Sequence, residues 1–304
     1  MNPALPRPVS AVALLALICL VSLDPVATEA RSAQDRQQRV AVTVLGRNDV
    51  PVTDLTIKDF TVREDRSNRE IISVTPATAA DHIVLLVDDS QATMPMVNDL
   101  RRGLTSFANA ITSLDTPPAL RLTTFGDRPT VRVDFTPSFS AISRGIDRIF
   151  PQAGAGGTLL EALIETCKDL RSRKIERPLI LVFVNEQGPE FSNASRDQVA
   201  EAIREAGARL WTIVLEDRQG PGLSGAAHER SLVLGDVTVQ SGGFTKAILN
   251  QQAIGAAFES AARAMASSYE ITYARPESLI PPSRLQIEVR DNSLKVLAPR
   301  WTRP

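Results

Sequence analysis

The sequence predicts an α/β protein: a doubly wound, mostly parallel sheet, with a small β unit formed by the N- and C-terminal segments. Three observations carry this reading. Continuous apolar runs at 83–87, 120–125, 179–184 and 210–215 read as strands buried on both faces. Segments with helical periodicity separate them, at 96–113, 140–150, 159–172 and 196–206. Short alternating runs, of the kind buried on one face only, crowd the two ends of the chain instead.

In chain order, residues 1–30 come first and look like a secretory signal peptide. Arg7 precedes an uncharged, mostly apolar run from Val9 to Leu23, followed by Pro25 and the small residues Ala27, Thr28 and Ala30. The run is short of the roughly 20 residues that span a hydrocarbon core, so the mature chain is expected to be exported with no membrane insertion. Ile18 before Cys19 argues against a lipoprotein cleavage site. The remainder divides into an N-terminal β segment at 31–79, an α/β domain at 80–268 and a C-terminal β segment at 269–304. The first β segment holds strand-like runs at 40–45, 59–64 and 69–74, where Val40, Val42 and Val44 alternate with other residues and Phe60 and Val62 do the same. In the α/β domain, 130–135 alternates in polarity and reads as an antiparallel edge strand. A Gly-rich, polar loop is expected over 216–235. It is followed by a turn at Ser241-Gly242-Gly243 and an Ala-rich helix over 253–266, in which Phe258 and Met265 share the packing face. The last runs, 269–273, 285–289 and 294–297, mirror the first three in number, which suggests that 269–304 packs with 40–75 in one small sandwich.

Composition excludes several functions. Without Arg7, Asp24 and Glu29 of the leader, 33 basic and 33 acidic side chains remain, a balance that gives no electrostatic case for nucleic acid. Cys167 is then the single cysteine of the mature chain; it lies in a helical segment and reads as a buried structural thiol. His82 and His228 stand far apart with no Cys or His cluster near either, which leaves little from which to build a zinc site or a Ser-His-Asp triad. Asn193-Ala194-Ser195 matches a glycosylation acceptor, but Ser195 also makes a good helix cap, the favoured reading. Asp99, Arg101 and Arg102 read as the solvated face of the first core helix.

Ligands of open α/β sheets bind at the carboxyl ends of the strands. There the sequence places Asp88-Asp89-Ser90-Gln91-Ala92-Thr93, the Gly-rich turn Gly154-Ala155-Gly156-Gly157-Thr158, and Asn185-Glu186-Gln187-Gly188. Together these three places resemble the metal-ion-dependent adhesion site of von Willebrand A domains. The lead-in Val50-Pro51-Val52-Thr53-Asp54-Leu55 with Asp59-Phe60-Thr61-Val62 is similar to that of bacterial proteins with a von Willebrand A-related domain. So is the exit through Gly242-Gly243, Ser268-Tyr269-Glu270-Ile271-Thr272-Tyr273 and Arg275-Pro276. The resemblance implies a Rossmann-like sheet and a Mg²⁺ or Mn²⁺ site built from Asp88, Ser90, Thr158 and Glu186. Such an ion prefers hard oxygen ligands in octahedral array and can accept a partner's carboxylate. The chain departs from the pattern at Ala92, which has no oxygen, and at Glu186, where the pattern has Asp. No bound cofactor is therefore the favoured expectation, with Asp88, Ser90 and Thr158 capping helices and tying loops together.

Other readings of the same residues are weaker. A receiver domain also carries an acidic pair after a first strand, but it is shorter and cytoplasmic. A phosphatase of the haloacid dehalogenase type needs a second Asp where Ser90 stands. The Gly154–Thr158 turn lacks the Lys of a phosphate-binding loop. The expected function is a non-enzymatic, extracytoplasmic module that binds an unidentified protein ligand. The alternative is a structural subunit of an envelope assembly with a vestigial metal site.

Overall fold

The computed structural model describes residues 37–77, 80–217, 224–276 and 282–302. The leader-like segment at 1–30 lies outside these residues. A six-stranded sheet forms the middle of the molecule, built from β5 (His82–Val87), β6 (Ala119–Thr124), β7 (Thr130–Thr136), β8 (Leu179–Asn185), β9 (Arg209–Leu215) and β10 (Thr245–Ile248). Its order is β10-β9-β8-β5-β6-β7, parallel throughout except where β7 runs antiparallel to β6. β7 therefore takes the antiparallel edge position expected for it, and its half-exposed side chains account for its polar alternation. β10, four residues long on the other edge, is absent from the sequence reading because Thr245 and Lys246 break its apolar character.

Successive side chains of the central strands point to opposite faces, so each strand feeds two cores. Ile83, Leu85, Leu181 and Phe183 enter the core under α1 (Val97–Thr112), α2 (Phe139–Ile146) and α6 (Ile254–Ala266). Val84, Leu86, Ile180 and Val182 enter the core under α3 (Leu159–Ser172) and α4 (Arg196–Ala206). This two-sided burial explains why the strands read as unbroken apolar runs. The Ala-rich α6 packs against α1 closely enough that a Cβ on Gly103 would stand 2.7 Å from the Phe258 ring. Phe258 in turn meets Phe107 and Phe183 with centroids 6.1 Å apart. Ser195 begins α4 through a capping box, accepting from the amide of Gln198 while the Gln198 side chain accepts from its own.

Two short antiparallel sheets make the β unit. One has the order β13-β1-β11-β4 and contains β1 (Gln37–Leu45), β4 (Ile71–Ala77), β11 (Ser268–Ala274) and β13 (Lys295–Leu297). The other joins β12 (Leu285–Val289), β2 (Phe60–Glu64) and β3 (Ser67–Arg69). Val42 of β1 stands opposite Tyr269 of β11, and Ile271 opposite Val74 of β4, so the first and last segments share one sheet. Between the sheets lie Val40, Val42, Phe60, Val62, Ile271 and Ile287, with Phe60 meeting the Tyr269 ring edge-on at 5.5 Å.

One expectation is corrected. The loop read over 216–235 becomes helical from Gly225: α5 (Gly225–Leu232) continues through a π turn, Val233–Val237, and a last turn, Thr238–Gln240. Ser224 caps α5 by accepting from the Ala227 amide at 3.1 Å, and Ala227, Arg230, Val233 and Val237 are buried. Glycine content lowered the helical signal here, and tertiary burial overrode it.

Candidate functional site

β5 ends at Val87, and the next residues turn the chain into a short 3₁₀ stretch, Gln91–Met96, before α1. Asp88 ties this turn to β8: one carboxylate oxygen accepts the amide of Ser90 at 2.8 Å and the other that of Asn185 at 3.1 Å. Asp89 turns toward β6 and accepts the amide of Gly126 at 2.6 Å, an approach that a Cβ on Gly126 would block. Its second oxygen pairs with Arg132 at 3.0 Å. The Gly-rich turn is fastened beside them, since Gln91 donates its amide to the Ala155 carbonyl and accepts that of Gly154. The first strand thus lies at the centre of the sheet, with the acidic turn at its carboxyl end and an antiparallel strand on one edge.

The fold is Rossmann-like, a mostly parallel sheet covered by helices on both faces. No family model matches the chain, and no curated protein matches it. Among solved structures it is similar to the SpRpn10 VWA domain, with 14% identity, 58% of this chain and 93% of that one covered, and a TM-score of 0.44. It is also similar to a von Willebrand factor type A protein from Catenulispora acidiphila, with 9% identity, coverage of 88% and 75%, and a TM-score of 0.46. A third is proximal thread matrix protein 1 from the mussel byssus, with 11% identity, coverage of 63% and 50%, and a TM-score of 0.49. At these identities the likeness is one of fold.

The four residues of the expected ion site go different ways. Asp88 and Ser90 share the turn after β5. Thr158 precedes α3, but its hydroxyl and amide both donate to the Phe125 carbonyl, at 3.1 and 3.0 Å. Glu186 leaves the cluster: its carboxyl lies among Arg230, Glu216 and Asp217, and burial pushes its pKa up. Asn185 takes the place beside Asp88, and its side chain donates to the Ala92 carbonyl at 2.9 Å.

Mg²⁺ or Mn²⁺ would need about six oxygen ligands in octahedral array. Here each Asp88 oxygen already accepts one amide, Ala92 offers no oxygen, and the Thr158 hydroxyl gives its proton to Phe125 while keeping its lone pairs. Only the hydroxyls of Ser90 and Thr93 remain in this turn as buried oxygens without a hydrogen-bond partner. Among the described residues no group of three or more His, Cys, Asp or Glu side chains is placed to hold a metal. The expected ligand set is therefore incomplete at two places: Ala92 supplies no oxygen, and the Glu186 carboxyl lies among Arg230, Glu216 and Asp217.

A cation of another kind stands beside the turn. Arg230 of α5 is 2% exposed and donates to the carbonyls of Gly188 and Glu186, both at 3.1 Å, with Glu190 3.6 Å away. Glu190 is itself buried; it accepts the Leu159 amide at 2.9 Å and, with Ser192, caps α3 where Thr158 was expected to. Burial pushes the Glu190 carboxyl up, the Ser192 hydroxyl and Arg230 oppose this, and Asp88 adds to it. Burial likewise pushes Asp88 up against the pull of the Ser90 and Asn185 donors. The loop held by Arg230 presses on the turn so closely that a Cβ on Gly188 would stand 3.0 Å from that of Ala92. Asp88 is accordingly 2% exposed, and Ser90 and Thr93 are fully buried.

Sequence reasoning gave Asn185, Glu190 and Arg230 no role of their own. Arg230 sat in the stretch read as loop, and Glu190 carries no periodic signal. Beside the exposed Gln91, Gln152 and Gln187, these turns also expose large apolar side chains: Phe150 at 63%, Phe191 at 58% and Met94 at 48%. The Phe191 ring lies over Gly156, where a Cβ would meet it at 2.5 Å. Arg101 supports Phe150, with its guanidinium 4.8 Å from the ring centroid, so it does more than face solvent. Cys167 is buried, which pushes its thiol up to about 12 and removes it as a nucleophile.

Proposed function

We propose that this chain is a non-enzymatic, protein-binding module that contacts its ligand through the upper edge of its von Willebrand A-type sheet and does so without a metal ion. The observation that carries the reading is the group of exposed Met94, Phe150 and Phe191 around an acidic turn that is itself buried. Exposed aromatic and Met side chains on a fixed frame are what protein interfaces enrich. Backbone ties from Gln91 to Ala155, Gln152 to Asp89 and Phe191 to Gly157 fasten the segments that carry the three. At the site Asp88 is buried and accepts two backbone amides, which supports a binding role over a catalytic one. The leader-like segment supports action outside the cytoplasm. Among the described residues no helix is long and apolar enough to cross a membrane.

A second reading, in which the β unit does the contacting within an envelope assembly, draws on Val50 and Ile72, exposed at 60% and 45%. Photo-crosslinking of the full chain in its source cells separates the two. A Phe150→Ser/Phe191→Ser double variant is expected to lose the crosslinked partner, while Val50→Ser/Ile72→Ser keeps it. The opposite pattern would favour the β unit. Loss of crosslinking in chelator with the unmodified chain would contradict the metal-free part of the proposal.

A further inference from the structure

At the lower end of the sheet, where β9 begins and β1 crosses beneath it, lies a cavity of about 400 Å³. This is within the roughly 300–1,000 Å³ range of small-molecule sites. Five arginines line it, Arg39, Arg177, Arg204, Arg209 and Arg275, against one carboxylate, Glu176. Three of the five are committed elsewhere: Arg177 pairs with Glu270, Arg204 with Glu201 and Arg275 with Glu64. Arg209 is not. It is 4% exposed, and its donors reach the carbonyls of Gly242 and Leu297 and the hydroxyl of Thr43, at 3.1 to 3.4 Å. Among the described residues no carboxylate pairs with it, and its Nη1 is buried without a partner. Burial pulls its pKa down to about 10, the direction expected of an uncompensated guanidinium. Breaking or omitting the partner of a buried charge is costly, and an anion is the group that offsets the cost.

We propose that this cavity binds a small organic anion whose carboxylate or phosphate pairs with the exposed Arg39 within the field of the buried Arg209 charge, with its apolar part against Trp301. A guanidinium offers several N–H donors in one plane and suits both oxyanions. The protein carries its own reporter, because both tryptophans of the sequence are here. Trp301 lines the cavity, and Trp211 lies with its ring centroid 5.4 Å from the Arg209 guanidinium carbon.

Tryptophan fluorescence of the full chain, titrated with N-acetyl-leucine and separately with inorganic phosphate at constant ionic strength, tests this. A saturable change in the millimolar range is expected with at least one probe, and which one responds identifies the oxyanion. Arg209→Met is expected to abolish it. Arg39→Ala, at an exposed position that folding does not need, is expected to weaken it about tenfold, the value of one charge-assisted hydrogen bond. No saturable change with either probe would overturn the proposal. So would a change reproduced by sodium chloride alone, or one left unaltered in both variants. The cavity lies at the opposite end of the sheet from the apolar edge, so the two proposals fail independently.

Discussion

At the upper end of the parallel sheet the buried guanidinium of Arg230 faces Glu190 at 3.6 Å and two loop carbonyls, whereas at the lower end Arg209 meets carbonyls, a hydroxyl and the Trp211 ring but, among the described residues, no carboxylate. Both side chains are nearly excluded from water. The difference lies in what balances the charge. Above, the balance is internal: Glu190 and Arg230 are parts of one chain, and Asp88 and Asp89 are bound to amides and to Arg132. Below, it is incomplete. A region whose charges are matched from within has little use for an ion, and a region with an unmatched guanidinium is where an ion of opposite sign belongs.

The largest effect expected from this contrast is at Arg230. Arg230→Met leaves Glu190 buried without its counter-charge, a loss of about 3–5 kcal/mol on the usual scale for breaking a buried pair. Urea denaturation would read it as a lower midpoint. Glu190→Gln in the same background should restore part of the loss, because it removes the stranded charge. A midpoint unmoved by Arg230→Met would mean that the loop is held by something else.

Arg209→Met should cost less, about 1–3 kcal/mol, since no carboxylate is stranded and the losses are hydrogen bonds to neutral acceptors and the contact with Trp211. Equal losses at the two arginines would erase the contrast.

The lower region also contains a matched charge, which sharpens the comparison. Glu64, in β2, is fully buried. Burial pushes its carboxyl up, but hydrogen bonds from Arg275, Tyr273 and Arg69 outweigh this and hold it below the ordinary value of 4.5. A group whose folded pKa is depressed contributes stability above its unfolded pKa and loses it as pH falls through the folded one. Thermal midpoints of the unmodified chain should therefore fall as pH drops below 4.5, and Glu64→Gln should be less stable at neutral pH but flatter in acid. Parallel pH profiles would show that Glu64 does not carry this dependence.

The smallest effect on stability belongs to the edge itself. Phe191→Ser removes an exposed ring and should change stability by no more than about 0.5 kcal/mol, as surface substitutions do. Its consequence is expected in partner crosslinking alone.

The fold was legible in the sequence where the periodicity was strong. The apolar runs 83–87 and 179–184 are unbroken because alternate side chains feed two cores, and the weaker alternation of 130–135 marks an edge. Legibility failed in 216–235, where glycines masked a helix that burial stabilises, and with it went Arg230. The candidate site was half legible. Its location followed from strand ends, and Asp88 and Ser90 are where the motif puts them. The partners of that turn were not legible, because a carboxylate five residues after β8 and an arginine on α5 meet only in the folded chain. Glu186 shows the limit most plainly: adjacent in sequence to Asn185, it points away, since successive residues at a strand end face opposite sides.

Calorimetric titration of Mg²⁺ and of Mn²⁺ into the chelator-treated full chain, with Asp88→Ala as control, tests whether the charges of the upper edge are balanced from within. Internal balance at the upper edge predicts no saturable heat at millimolar ion and no difference between the two proteins. Saturable binding that disappears in Asp88→Ala would contradict it, and would show that Ser90 and Thr93 complete an ion site despite Ala92.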